Sequence, residues 1–381
     1  MSEQNRRRKR RRRRRKIWPL ILVCAAAALA FGARYYMNHR TSSAYSVVSS
    51  GAREDTASSR YQSFADAVLR YSDDGASLSK DDGTLIWNES YDMHSPTADI
   101  SEDALVIYDK KGTIMYVFGT NGIRGMITTE LPILKAKVSS QGMIAAILED
   151  GETTWINFYS MEGQTIATGK TRIDSPGYPV DLDVSRNSEL LMVSYLYIDG
   201  NTPTSYVAFY SFGSAGQNQM DNIVSGYTYP NVMIPQVSFL GDDVAVAVRD
   251  DGLTLYSGSQ IPAENVSVTE ETEIASTFIS DRGVGLIVQS GENRQGHILK
   301  MYNTGGKLVT ERDLQEDYSS VTVSGGQLIL HNDRQVSIYG MDGSEKFSGV
   351  IEEGMIQSIC KTGSNRYMVV MEEGLETIRL K

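Results

Sequence analysis

The sequence predicts an all-β fold, a β-propeller of eight four-stranded blades, preceded by one N-terminal transmembrane helix. Three observations predict it. A tight hairpin turn recurs about every 40 residues, short apolar strands lie between the turns, and no run of ten or more residues has helical periodicity in the large C-terminal part.

The turns come first. They fall at Asp73-Asp74-Gly75, Lys110-Lys111-Gly112, Glu149-Asp150-Gly151, Ile198-Asp199-Gly200 and Asp250-Asp251-Gly252, then near Gly291 to Gly296, at Asn332-Asp333 and at Glu372-Glu373-Gly374. A second series follows them at Asp82-Gly83, Asn121-Gly122, Glu162-Gly163, Gly305-Gly306 and Asp342-Gly343. Glycine is favoured where a turn needs positive φ, and Asp or Asn beside it supports the same turn. Between the turns run ALVIY (104–108), VAVAV (244–248) and VGLIV (284–288), with alternating partners such as Leu253-Thr254-Leu255-Tyr256. A β-sandwich has far fewer strands, and a β-helix repeats at about half this period, which leaves the propeller.

Six repeats are complete between about 97 and 353. The first, from about Phe64, lacks a clear inner strand, and the last, from Met355, lacks an outer one. Counting both gives eight blades, and merging them gives seven. In either case the ends must meet to protect the strand edges, with Ile378 and Leu380 packed near Val68 and Leu69.

The N-terminus has a different composition. Every residue from Arg6 to Lys16 is basic, 11 positive charges, and an uncharged apolar run of 17 residues follows from Ile17 to Ala33. The run suits a membrane span of about 25 Å, and the basic cluster holds its own end in the cytoplasm. The expected organisation is a basic cytoplasmic head at 1–16, a transmembrane helix at 17–37, a flexible stalk at 38–62 and an extracytoplasmic propeller at 63–381. The rival for the apolar run is a signal peptide cleaved after Ala28-Leu29-Ala30. Removing stalk residues 41–58 is expected to change melting little.

From position 41 onward there are 24 basic and 46 acidic residues, a net charge of −22. Such a domain repels nucleic acid, so the membrane partner is met by the head, through anionic lipid at Arg6 to Lys16.

Chemical motifs are sparse. Cys24 and Cys360 lie in different compartments on this reading and cannot pair, and none of His39, His94, His297 and His331 has metal-ligand spacing. The nearest approach to a calcium loop, 181–187, reads better as a hairpin turn, and 79–87 resembles an Asp-box turn that occurs once. No nucleophile elbow or phosphate loop is present, so no catalytic residue, metal site or cofactor is assigned. One aromatic concentration stands out in the longest repeat, and a binding face is expected around Tyr195, Tyr197, Asp199, Tyr206, Tyr227 and Tyr229.

Residues 74–109, DGASLSKDDGTLIWNESYDMHSPTADISEDALVIYD, with Leu131 to Leu134, Gly177-Tyr178-Pro179 and the terminal Ile378-Arg379-Leu380-Lys381, carry a resemblance. The chain resembles an uncharacterised family of Gram-positive bacterial single-pass membrane proteins with a propeller-like extracytoplasmic domain. The resemblance implies architecture and compartment but no chemistry. The expected function is a non-enzymatic binding or scaffolding module at the outer face of the cytoplasmic membrane, with an envelope protein as partner. The alternatives are a glycan-acting hydrolase and a receptor signalling through the basic head.

Overall fold

The computed structural model describes residue 32 and residues 41–381, apart from 53–57, 173–175, 218, 291–295, 315–316 and 373. The basic head and, but for Gly32, the proposed span at 17–37 lie outside the described residues. Among the described residues, no helix is long and apolar enough to cross a membrane.

Eight four-stranded antiparallel sheets follow one another along the chain. Seven are blades of consecutive strands: blade 1 at 60–90, blade 2 at 96–128, blade 3 at 133–172, blade 4 at 178–230, blade 5 at 236–269, blade 6 at 274–314 and blade 7 at 320–350. The first strands of neighbouring blades touch around most of the ring, so they line the axis, and those of blades 1 and 8 meet to close it.

Sequence pattern follows position in the blade. A second strand has neighbouring blades on both faces, which is why it reads as an unbroken apolar run: all six residues of Ala104–Asp109 are buried. A fourth strand lies at the rim, and Thr165–Arg172 is mostly exposed. The core is a series of clusters between blades, such as Leu69, Trp87, Leu105 and Phe118 between blades 1 and 2. There Trp87 stacks on Phe118 with ring centres 5.0 Å apart. The eight hairpin turns foreseen from sequence fall between second and third strands, one per blade, with residues 291–295 and 373 of two of them outside the described residues.

Blade 8 differs from the sequence reading. Its first three strands are Ile356–Lys361, Arg366–Met371 and Gly374–Leu380, and its fourth is Tyr45–Ala52. Much of the stretch read as a flexible stalk is therefore a rim strand, running from Tyr45 opposite Leu380 to Ala52 opposite Gly374. The inner strand missing from blade 1 is Arg60–Phe64, so the propeller includes residues placed before its expected start at 63. The physical reason is the unprotected edge of Gly374–Leu380, which the N-terminal strand covers.

Ile378 and Leu380 do not reach Leu69. They pack with Ile338, Phe347 and Val369 at the face shared with blade 7, because alternation turns Thr377 of the same strand toward blade 1 and Ile378 and Leu380 away from it. Polar contacts cross the closing seam: Arg366 pairs with Asp81, and Thr377 Oγ1 donates to the Asp81 carbonyl at 3.3 Å. The Asp-box-like turn thus serves as a clasp between blades 8 and 1.

Charged residues tie the axial strands together. Asp99 in blade 2 accepts the Val138 amide of blade 3 at 2.9 Å and the Lys137 ammonium at 2.6 Å. Lys135 pairs with Asp181 of blade 4 at 2.5 Å, and Asp181 accepts the Val237 amide of blade 5 at 2.9 Å. Asp183 accepts the Phe239 amide at 2.7 Å and the Ser238 hydroxyl at 2.9 Å. Both carboxylates of the stretch considered for calcium are thus engaged in joining blades 4 and 5.

Burial raises the Asp183 carboxyl to about 6, against the opposing pull of Lys137. Burial alone would lower the pKa of Lys137, but the carboxylates of Asp99, Asp183 and Asp181 more than reverse it, so its ammonium is held charged. Because the folded Asp183 keeps its proton to a higher pH than an unfolded Asp, its effect is most favourable below about pH 4 and is lost as pH rises through about 6. A shift of about two units corresponds to about 3 kcal/mol at neutral pH. Asp183→Asn keeps an acceptor for Phe239 and removes the titration. Urea melts of this variant are expected to show a flatter stability profile between pH 4 and 6 than the parent. An unchanged slope would refute the assignment.

Candidate functional site

A groove of about 870 Å³ opens between the outer halves of blades 3 and 4, a size suited to a ligand or peptide segment. One wall is Ile156 and Phe158 of strand Thr153–Tyr159 together with the rim strand Thr165–Arg172. The other is built on Leu190–Asp199 and Thr202–Ser211, two ten-residue strands that make blade 4 the longest. Alternation decides which of their side chains enter. Tyr195 pairs with Tyr206 and Tyr206 with Thr228, so all three share the groove face with Leu191, Tyr197 and Tyr210.

The aromatic rings are fixed by packing. Phe158 of blade 3 stacks on Phe212 of blade 4 at 4.4 Å and 7°, which joins the two walls. The Tyr195 and Tyr210 hydroxyls are 2.6 Å apart, and the Tyr195 and Tyr206 rings stack at 6.2 Å. The Tyr206 ring lies over Gly226, where an added Cβ would strike its hydroxyl. Glycine in that rim strand is thus the condition for the ring's position.

Burial is the main cause of the raised phenol pKa values. Tyr195 is pushed well above its ordinary value, Tyr210 to about 12, and Tyr206 upward. All three stay protonated at neutral pH, able to donate hydrogen bonds but not to act as phenolate bases or nucleophiles. Lys170 and Asp221 bring one charge of each sign to opposite walls. Asp221 and Asn222 at the mouth both hold positive φ, 54° and 59°, a conformation that Asp and Asn tolerate better than most residues and that marks a constrained edge.

The six residues expected to share a face separate into three places. Tyr195, Tyr197 and Tyr206 line the groove. Asp199 is exposed at the end of its strand, beside the hairpin turn. Tyr227 and Tyr229 lie on the opposite side of the sheet, against blade 5. Tyr227 donates to the Pro262 carbonyl at 3.0 Å, and Tyr229 meets the Tyr256 hydroxyl at 2.5 Å and Glu264 at 3.1 Å. They are packing residues, and register explains the division. Sequence reasoning missed the blade 3 wall, for which the alternation of Trp155-Ile156-Asn157-Phe158 is the available signal. Among the described residues, no group of three or more His, Cys, Asp or Glu side chains is placed to hold a metal ion.

Solved structures share the fold. Sqt1 from Saccharomyces cerevisiae aligns over 90% of this chain and 99% of its own at 12% identity and a TM-score of 0.53. The WD40 domain of SCAP from fission yeast aligns over 88% of this chain and 98% of its own at 9% identity and a TM-score of 0.53. BamB from Moraxella catarrhalis covers 89% of this chain and all of its own at 13% identity and a TM-score of 0.49. At such identities the likeness is one of fold. No curated protein sequence matches the chain. A family profile does match, over residues 38–380, almost the whole of the described propeller. The chain belongs to the family of unknown function DUF5711.

Proposed function

We propose that the chain is a membrane-tethered, extracytoplasmic scaffold that binds an envelope protein without catalysing a reaction. The partner contributes an extended segment to the groove between blades 3 and 4. The observation that carries this reading is the adjacency of the aromatic groove to the rim strand Thr165–Arg172. Among the described residues, that strand is paired only with Thr153–Tyr159, apart from a single bridge between Arg172 and Pro176 at its end. An extended segment can add to such an edge through its backbone while alternate side chains enter the groove. Gly169 bares the backbone there, between Thr168 and Lys170. Tethering is supported by the apolar run 17–33 behind its 11 basic residues. Glycan hydrolysis ordinarily requires two carboxylates, and Asp221 is the single one among the described residues lining this groove.

A photo-crosslinking residue at Thr168 tests the reading in intact cells. One dominant envelope-protein adduct is expected. Tyr206→Ala should weaken the complex at least tenfold, since a buried aromatic anchor contributes about 2 kcal/mol or more. The same adducts from a probe at the exposed Thr269 of blade 5, or adducts unchanged by Tyr206→Ala, would sink it.

A further inference from the structure

The direction of one strand bears on how the disc is oriented. Tyr45 lies opposite Leu380, where the third strand of blade 8 ends, so the N-terminal chain enters on the face that carries the turns between third and fourth strands. The chain is held there at once. Thr41 Oγ1 donates to the Glu345 carbonyl at 3.0 Å, and the Ser42 amide donates to the Lys346 carbonyl at 2.8 Å.

Three residues, 38–40, separate Thr41 from the end of the span proposed at 17–37. Four extended steps reach at most about 14 Å. A blade strand of seven residues is about 23 Å long, and that length is the thickness of the disc. The tether is therefore too short to bring the opposite face to the bilayer.

The side chains on the entry face agree. Just beyond the third-to-fourth turns, blades 1, 2 and 6 leave Leu85, Ile123 and Leu308 exposed at 57%, 45% and 40%. Each has an exposed cation close by in sequence, Lys80, Arg124 and Lys307 respectively. In ring order blades 1 and 2 follow blade 8, where the tether enters and where Val47 and Val48 are also exposed. Blade 6 precedes it across blade 7, whose third-to-fourth turn carries the exposed Asp342. Apolar residues beside cations suit a headgroup region with anionic lipid. Acidic residues interrupt this face: Asp82, whose carboxylate is turned back to the Thr84 amide at 2.9 Å, and the exposed Asp66, Glu102, Asp103 and Asp281 in the turns between first and second strands. The opposite face carries the acidic turns Asp73-Asp74, Glu149-Asp150 and Asp250-Asp251 against one basic pair, Lys110-Lys111, and an anionic surface repels the acidic turns.

We propose that the propeller rests directly on the lipid headgroups through the tether-side rim of this face, formed by blades 6, 7, 8, 1 and 2. The inference rests on the membrane-tethered reading. It leaves the groove of blades 3 and 4 on the far side of the ring from the tether, open to a partner.

The test uses the full-length chain in vesicles containing phosphatidylglycerol and a headgroup-attached quencher. A thiol-reactive fluorophore is placed in turn at Leu85→Cys, Ile123→Cys and Leu308→Cys, and at Asp199→Cys and Asp251→Cys on the opposite face. The unsubstituted chain, with its own Cys24 and the buried Cys360, gives the blank. Quenching of the first three is expected to exceed that of the last two by at least twofold. A Leu85→Asp/Leu308→Asp variant should reduce the quenching at position 123 while still floating with the vesicles. Equal quenching on both faces in protein that floats would overturn the orientation and leave tethering intact. Failure of the chain to float would overturn tethering and the orientation with it.

Discussion

A chain that begins at residue 53 is expected to melt about 10 °C or more below one that begins at Thr41. The truncation removes Tyr45–Ala52 and its seven register pairs with Gly374–Leu380. At about 0.5–1.5 kcal/mol net per hydrogen bond, the lost ladder amounts to several kcal/mol, and each kcal/mol lowers Tm by about 2–4 °C for a domain of this size. The edge contact of Tyr45 with Phe347 at 6.3 Å and its bond to Glu353 at 2.5 Å are lost as well. The bared strand Gly374–Leu380 then becomes an edge open to pairing with another copy. Calorimetry and limited proteolysis of the two chains decide the matter. Equal melting would mean that the N-terminal strand is dispensable, as the stalk reading of 41–58 requires. Deleting 375–381 removes the neighbouring strand and the buried Ile378 and Leu380, so its effect should be at least as large.

Lys137→Met is expected to destabilise the propeller by about 3–5 kcal/mol at neutral pH, the usual cost of leaving a buried charge without its partner. Lys137 is the shared counter-charge of the axial cluster. Its ammonium lies 2.6 Å from Asp99 and favours the charged form of Asp183. Without it the Asp183 carboxyl stands closer to protonation, so the loss should shrink at pH 5. The double variant Asp99→Asn/Lys137→Met should be less damaging than the single one, because it removes both charges of the pair. Urea melts at pH 5 and 7.5 measure all three effects. A loss below about 1 kcal/mol at pH 7.5 would show that solvent already screens the cluster.

Local features were legible in the sequence and distant pairings were not. The hairpin turns are written in adjacent residues, as at Asp82-Gly83, where Gly83 takes φ 83°. Second strands announce themselves because burial on both faces forces runs such as ALVIY. The rim strand YSVVSSGA carries no such mark. It exposes Val47 and Val48 and takes its structure from a partner at the other end of the chain, which is why it reads as a stalk. At the groove, the concentration of tyrosines was visible, but their division was not. Whether Tyr227 joins Tyr206 depends on the pairing of Tyr206 with Thr228, which places Tyr227 on the other face. Ile156 and Phe158 required the knowledge that blade 3 turns that side toward blade 4.

The strand that opens the described chain is also the last to find its place. Ser50 bonds to Glu376 across 326 positions. At about 5–20 residues per second, a ribosome needs roughly 15–65 s to make the intervening chain. For that interval every finished blade is waiting on an incomplete circle, with its inner faces stacked but its first and last members unjoined. Nonsense or frameshift lesions that remove Gly374–Leu380 should consequently yield a product whose ring is open, a substrate for quality-control proteases rather than a slightly shortened working protein.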